Sequence, residues 1–73
     1  MIQLTSGEVG LLRVFSRHVG TSVSREFLAT RMGISSRSVD VRIARLRRKI
    51  EGNLRHPHYL LTVRGEGYVL QAD

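Results

Sequence analysis

The chain has 73 residues, which indicates a single small domain, and it has no cysteine, which excludes both disulfides and thiolate zinc sites. Its residues are 41% hydrophobic and 25% charged, a composition typical of a folded chain rather than a disordered one. Twelve basic residues, eleven of them arginine, outnumber six acidic residues and give a net charge of +6, which favours an anionic partner such as nucleic acid.

The first third of the chain predicts a helix over about residues 6–18. Thr5 and Glu8 have the spacing of a capping box, in which each side chain binds a free backbone N–H group of the first turn. The predicted apolar stripe of this helix consists of Val9, Leu12 and Phe15, with Leu11 beside it.

A short strand and a second helix are predicted next. Residues 21–23 favour extended structure, and Ser24 is a typical N-cap for a helix over about 25–31. We expect its buried side to consist of Phe27, Leu28 and Met32.

The second half predicts a long helix and a hairpin. The helix extends over about 36–52, capped by Ser35 or Ser36, and a loop containing Pro57 follows it. Strands at 59–63 and 67–71 flank a glycine-containing turn. The predicted fold class is therefore mainly α with small β: three helices and a C-terminal β-hairpin, forming one domain over 1–73.

The third predicted helix separates an apolar side from a basic side. At about 100° per residue, Val39, Ile43, Leu46 and Ile50 form one narrow stripe. The opposite side holds Arg37, Val41, Ala44, Arg45 and Arg48. Few acids interrupt these basic residues, so their mutual repulsion favours nucleic-acid binding over a merely solvated face. An acidic protein partner is the alternative that this pattern leaves open.

Two side chains allow more than one interpretation. Asp40 could accept a hydrogen bond from a cytosine, but a structural role near the positive end of the helix dipole is favoured. A third option is that Asp40 orients Arg37 or an arginine of the hairpin. Tyr68 could contact a phosphate, although a strand residue after a tight turn more often packs on the core.

The sequence offers little support for a metal site or for catalysis. His56 and His58 have no cysteine or carboxylate cluster beside them that would complete a metal site. The six acids are scattered along the chain rather than grouped as a nuclease requires. We therefore expect no metal, no cofactor and no enzymatic activity. The absence of a long apolar run or signal-peptide pattern predicts a cytoplasmic protein without a membrane partner.

Four segments in this order resemble the winged helix-turn-helix output domain of OmpR/PhoB-type response regulators. They are LTSGEVGLL, VSREFL, SRSVDVRIARLRRKI and LLTVRGEGYVL. The resemblance implies sequence-specific binding of double-stranded DNA by a bacterial transcriptional regulator of a two-component system. The third helix would enter the major groove, and the hairpin, as a wing, would reach the minor groove. The residues that would contact DNA are Arg37, Ser38, Val41, Arg42, Arg45, Arg47, Lys49, Thr62, Arg64 and Gly65.

The resemblance also implies further partners, and the chain departs from the family in several places. RNA polymerase and a second copy of the chain on repeated half-sites are the implied partners. The family's domain begins with a four-stranded sheet, and this chain starts at about its last strand, as a trimmed or shortened relative would. The resemblance covers the output domain, and we expect no receiver domain within these 73 residues. The link between the second and third helices is shorter than usual, and Glu66 places an acid at the tip of the wing.

Overall fold

Three helices and a two-stranded hairpin follow one another in the computed structural model, which describes residues 2–72. The predicted order of the three helices and the hairpin is confirmed, and the predicted ends of the first and third helices lie two residues too far along the chain. The elements are α1 (Ser6–Ser16), α2 (Arg25–Met32), α3 (Ser36–Ile50), β1 (Leu60–Val63) and β2 (Gly67–Leu70).

Each helix begins at a hydroxyl side chain that accepts a hydrogen bond from a backbone N–H group. The capping box of α1 is complete: Thr5 Oγ1 accepts from the N–H of Glu8 at 3.1 Å, and Glu8 Oε1 accepts from the N–H of Thr5 at 2.8 Å. Ser24 caps α2, and Ser35, rather than Ser36, caps α3. These caps satisfy donors that have no partner within the helix.

The hairpin pairs its strands in antiparallel register, with Leu60 opposite Leu70 and Val63 opposite Gly67. The predicted strand at 21–23 is reduced to a single bridge, in which Val23 pairs with Tyr68 on β2. This close approach requires glycine beside it, because a Cβ at Gly67 would lie 2.1 Å from the carbonyl oxygen of Val23. The backbone of Gly67 also has a φ of 145°, which other residues rarely adopt.

The core confirms the apolar stripe predicted for α3. Val39, Ile43 and Leu46 are at most 1% exposed, and Ile50 is half-buried against them. Leu28 of α2 and Leu60 of β1 are also fully buried. Since one side of α3 is fixed in the core, its opposite side must face away from it.

The predicted buried sides of α1 and α2 are partly wrong. In α1, Val9 and Leu12 are only half-buried, whereas Val14 is buried. In α2, Phe27 is 38% exposed, and Ala29 takes its place in the core beside Leu28. None of the helices within residues 2–72 is long and apolar enough to cross a membrane.

Candidate nucleic-acid interface

The side of α3 that faces away from the core is basic, as the sequence predicts. Its members are all exposed, and Val41, at 46% exposure, is an apolar side chain lying among arginines. The surface therefore combines positively charged side chains with one exposed apolar side chain, which can contact a methyl group of a partner. The exposed members are Arg37, Val41, Ala44, Arg45 and Arg48.

Arg42 lies at the border of this basic face, against the first turn of α1. A Cβ at Gly7 would approach Arg42 Nη1 to 2.8 Å, so the absence of a side chain at Gly7 makes room for the guanidinium group. Together with Arg45, these residues line a groove between the start of α1 and the middle of α3. Arg42 is therefore half-buried, whereas Arg45 is exposed.

Ser38 lies in the first turn of α3 and belongs to the capping arrangement. Ser35 Oγ accepts a hydrogen bond from the N–H of Ser38 at 3.1 Å and donates to Ser38 Oγ at 3.0 Å. Ser38 is half-buried. Its predicted contact with DNA stays a prediction, and the structure adds that its hydroxyl group has a partner within the protein.

Arg47 and Thr62, both predicted to contact DNA, bind each other. Arg47 Nη2 donates to Thr62 Oγ1 at 2.8 Å, and Arg47 Nε donates to the carbonyl oxygen of Leu60 at 2.9 Å. The Arg47 guanidinium carbon also lies 5.5 Å from the centre of the Tyr68 ring, within the range of a cation–π contact. Arg47 thus joins α3 to both strands of the hairpin.

Lys49 is directed toward α1 and the segment before it. Its Nζ donates to Glu8 Oε1 at 2.6 Å and to the carbonyl oxygen of Gln3 at 3.0 Å. The hydrogen bond from Lys49, together with the backbone N–H of Thr5, holds the pKa of Glu8 below its ordinary value. Lys49 is therefore the partner of a buried carboxylate, and its predicted phosphate contact stays a prediction.

The predicted structural role of Asp40 is confirmed, but its partners differ from those predicted. Asp40 accepts two hydrogen bonds from Arg25, at 3.0 and 2.7 Å, and one from the Tyr68 hydroxyl at 2.7 Å. It does not orient Arg37 or an arginine of the hairpin within the described residues. The hydrogen bond from Tyr68 lowers the pKa of Asp40, with a further contribution from Arg25. Burial, and the negative charge of Asp40, raise the pKa of Tyr68 to about 12.

The hairpin tip presents Arg64 and Gly65 to solvent. Gly65 has a φ of 78°, which explains a glycine at this turn position. The N–H of Glu66 donates to the carbonyl oxygen of Val63 at 2.9 Å and closes the turn. The acid that the sequence places at the tip is also engaged, because Glu66 Oε1 accepts from Ser22 Oγ at 2.6 Å.

Glu51 is an important residue that the sequence analysis did not identify. Its carboxylate accepts hydrogen bonds from the N–H groups of His58, Tyr59 and Leu60 at 2.7 to 3.3 Å. Burial alone would raise the pKa of Glu51, but these three donors reverse the effect and hold that pKa below its ordinary value. One signal was available: an acid just after a helix opposes the helix dipole, so a separate reason for its presence is required.

No group of three or more potential metal-binding side chains occurs in the described part of the chain. Among residues 2–72, every buried side-chain nitrogen or oxygen has a hydrogen-bond partner. The polar groups of the interior are therefore satisfied by the protein itself.

Comparison with known proteins identifies the kind of domain that carries this surface. Residues 1–70 match the family described as "Transcriptional regulatory protein, C terminal". The chain belongs to this family, the OmpR/PhoB type. It is a family of regulators rather than enzymes. The OmpR/PhoB-type chain is also 43% identical over 82 residues to protein PetR of Rhodobacter capsulatus. That match covers 99% of this chain but only 35% of PetR, so the chain spans about a third of the relative's length.

Solved structures of this OmpR/PhoB type share the fold. The RstA DNA-binding domain of Klebsiella pneumoniae, solved in complex with the RstA box, has a TM-score of 0.85 and 32% identity. The match covers 96% of this chain and 74% of that one. The response regulator DrrB of Thermotoga maritima, an OmpR/PhoB homologue, has a TM-score of 0.90 and 32% identity over 97% of this chain and 34% of that one. The predicted winged helix-turn-helix class is confirmed.

Proposed function

We propose that this OmpR/PhoB-type domain binds double-stranded DNA in a sequence-specific manner, as the DNA-binding part of a bacterial two-component response regulator. The observation that carries the proposal is the exposed face of α3, which presents Arg37, Arg45 and Arg48 around Val41 and opposite the buried stripe. A helix with one side fixed in the core and an arginine-rich opposite side has the shape and charge to enter a major groove.

Base recognition would come from the arginines nearest the middle of this face. Arginine can donate two hydrogen bonds to one guanine, and Val41 can contact a thymine methyl group. We assign this role to Arg37, Val41, Arg42 and Arg45. Arg64 at the hairpin tip would enter the adjacent minor groove, where an arginine contacts bases and responds to groove width.

A second set of residues would hold the domain in place on the phosphate backbone and would contribute less to the recognition of particular bases. Arg47, Lys49 and Thr62 have partners within the protein, so any phosphate contact would share them with those partners. Ser38 and Gly65 would approach the phosphate backbone at the start of α3 and at the tip of the hairpin. Contacts of this kind set the register of a protein on DNA.

The decisive experiment is selection of bound sequences from a random pool of duplex DNA. We expect one sequence motif to be enriched, and Arg45→Ala to reduce discrimination at particular base pairs by about 1–3 kcal/mol. Arg13→Ala is the matched control, since it removes one exposed arginine from α1 and leaves α3 intact. The control should keep the same sequence preference.

Salt dependence tests the electrostatic part of the proposal. With about 6–10 phosphate contacts, log affinity should fall steeply and linearly as log salt concentration rises. Absence of binding to any duplex at about 50 mM salt would contradict DNA binding and favour an acidic protein as the partner of the basic face. Equal loss on every sequence for Arg45→Ala would contradict base recognition by α3.

Further partners belong to the same proposal. We propose binding as a homodimer to repeated half-sites, which the enriched motif would reveal as a repeat with fixed spacing. RNA polymerase would be contacted through the link between α2 and α3, here only residues 33–35. The proposed site of action is the bacterial cytoplasm, where the DNA is.

A further inference from the structure

Asp40 binds two other elements of the fold with one carboxylate group. It lies in the first half of α3 and accepts hydrogen bonds from Arg25, in the first turn of α2, through both oxygens. One of these oxygens also accepts from the Tyr68 hydroxyl of β2 at 2.7 Å. The carboxylate thus connects the helix proposed to recognise bases with the helix before it and with the hairpin.

Tyr68 is the residue through which this connection reaches the hairpin. Its side chain is buried, and its backbone N–H and carbonyl groups both pair with Val23. Thr62 lies opposite Tyr68 in the hairpin register. The position of Tyr68 therefore determines where β2, and with it the hairpin, lies relative to the helices.

α3 holds Tyr68 at two points on one side. Asp40 and Arg47 are seven residues apart, so they lie on nearly the same face of the helix, two turns from each other. Asp40 binds the hydroxyl group of Tyr68, and Arg47 lies over the face of its ring. Two contacts separated along α3 resist both sliding and rotation of the hairpin.

Arg25 extends the same arrangement to a surface shared with the hairpin tip. Its guanidinium group lines a groove with Arg64, Glu66 and Tyr68, and its side chain remains 43% exposed. Asp40 binds this guanidinium group through two oxygens, which fixes its direction. Arg25 and the hairpin are thus oriented by one carboxylate.

We propose that Asp40 is a positioning residue for DNA recognition, which fixes the hairpin and Arg25 relative to α3 so that helix and hairpin contact one duplex together. The inference rests on the proposed function. Recognition through two grooves requires both contacting elements to be held within about 0.5 Å and about 10–20° of the productive geometry. A hairpin without this carboxylate would still form, but its position would vary.

The test compares three single variants, and the double variant that combines Asp40→Asn with Tyr68→Phe, with wild type on a duplex selected by wild-type protein and on random duplex DNA. Tyr68→Phe removes the hydroxyl group and leaves the buried ring and the backbone pairs with Val23. Asp40→Asn keeps the shape of the side chain and removes its charge. Glu26→Gln is the charge-matched control, because it removes an exposed acid in the first turn of α2.

We expect Asp40→Asn and Tyr68→Phe each to lower the ratio of selected-site to random-DNA affinity by about tenfold or more. The double variant should be no worse than Asp40→Asn alone, since both changes break one connection. The hairpin should also protect the adjacent minor groove from chemical cleavage less well in both variants than in wild type. Glu26→Gln should bind both DNAs slightly more tightly and keep the wild-type ratio and protection.

Three outcomes would overturn the positioning role. The first is an unchanged ratio and unchanged minor-groove protection in Tyr68→Phe. The second is an equal loss on both DNAs with an unchanged salt slope, which would make the neutral hydroxyl a phosphate contact instead. The third is a lower affinity ratio in Tyr68→Phe together with the loss of its cooperative melting transition, because unfolding would then explain the lower ratio. Wild-type protein that selects no sequence would instead contradict the proposed function itself.

Discussion

At the scale of single residues, the acids of this domain have structural partners that the sequence does not reveal. Glu8 pairs with Lys49, Asp40 with Arg25 and Tyr68, and Glu51 with three backbone N–H groups. These partners are 7 to 41 positions away along the chain, so neither periodicity nor local motif predicts them. The capping box of Glu8 was predicted because its partner, Thr5, is local.

Glu51 has the clearest consequence for stability. Replacing it with alanine would leave the N–H groups of His58, Tyr59 and Leu60 without their acceptor where the loop enters β1. We expect Glu51→Ala to lower the free energy of unfolding by about 2–3 kcal/mol, measured by urea denaturation.

The control for this prediction is Glu26→Ala, which removes an acid that is exposed. Its effect should stay within about 0.5 kcal/mol, the size expected for an acid near a helix N-terminus. Equal effects of the two changes would show that the Glu51 carboxylate does not stabilise the loop.

At the scale of elements, α3 was predicted more accurately than α1. Its stripe has the spacing 4, 3, 4, which keeps Val39, Ile43 and Leu46 on one side, and all three are buried. The predicted stripe of α1 has the spacing 3, 3, which turns by about 60° at each step, so Phe15 is fully buried whereas Val9 and Leu12 are only half-buried. Glu8 occupies a buried position of α1. An apolar pattern cannot include an acid whose partner lies on another helix.

The hairpin depends on one glycine for its attachment to the helices. At Gly67, alanine would have to adopt a φ of 145° and place its Cβ 2.1 Å from a backbone oxygen of Val23. We expect Gly67→Ala to lower the free energy of unfolding by about 3 kcal/mol or more, because the backbone bridge must separate.

Gly52→Ala is the matched control, because a Cβ there meets nothing within 4 Å and the residue is not among those with positive φ. It should be neutral or more stable by up to about 1 kcal/mol, since alanine reduces the freedom of the unfolded chain. Denaturation curves in which the two variants agree would contradict the close approach of Gly67 to Val23.

At the scale of the whole molecule, the sequence predicted the order of elements and the side of α3 that faces solvent. It did not predict how α3 and the hairpin are joined. Arg47 and Asp40 make this connection, and their partners are distant in sequence and come close only when the chain folds. Charge patterns identify which residues are available to a partner. Packing decides which of them, such as Lys49, are already engaged.

The same engaged carboxylates predict how the whole domain responds to acid. The pKa values of Glu8, Asp40 and Glu51 all lie below their ordinary values in the folded protein. As pH falls below about 4.5, the unfolded chain therefore takes up protons before the folded protein does, and the free energy of unfolding decreases. The stabilisation that these three ionised carboxylates provide is complete above that pH and is lost as the pH falls through their lowered pKa values.

We expect the melting temperature to change little between about pH 7 and 5 and to fall steeply below about pH 4.5.

The net positive charge also grows as acids are protonated, so a general repulsion must be separated from the loss of specific contacts. Raising the salt to about 0.5 M screens repulsion among exposed charges but leaves buried hydrogen bonds in place. Glu51→Gln should show a shallower acid transition than Glu26→Gln at this salt concentration, because Glu51, unlike the exposed Glu26, has a buried carboxylate bound to backbone donors. Identical transitions in the two variants would assign the acid sensitivity to net charge alone.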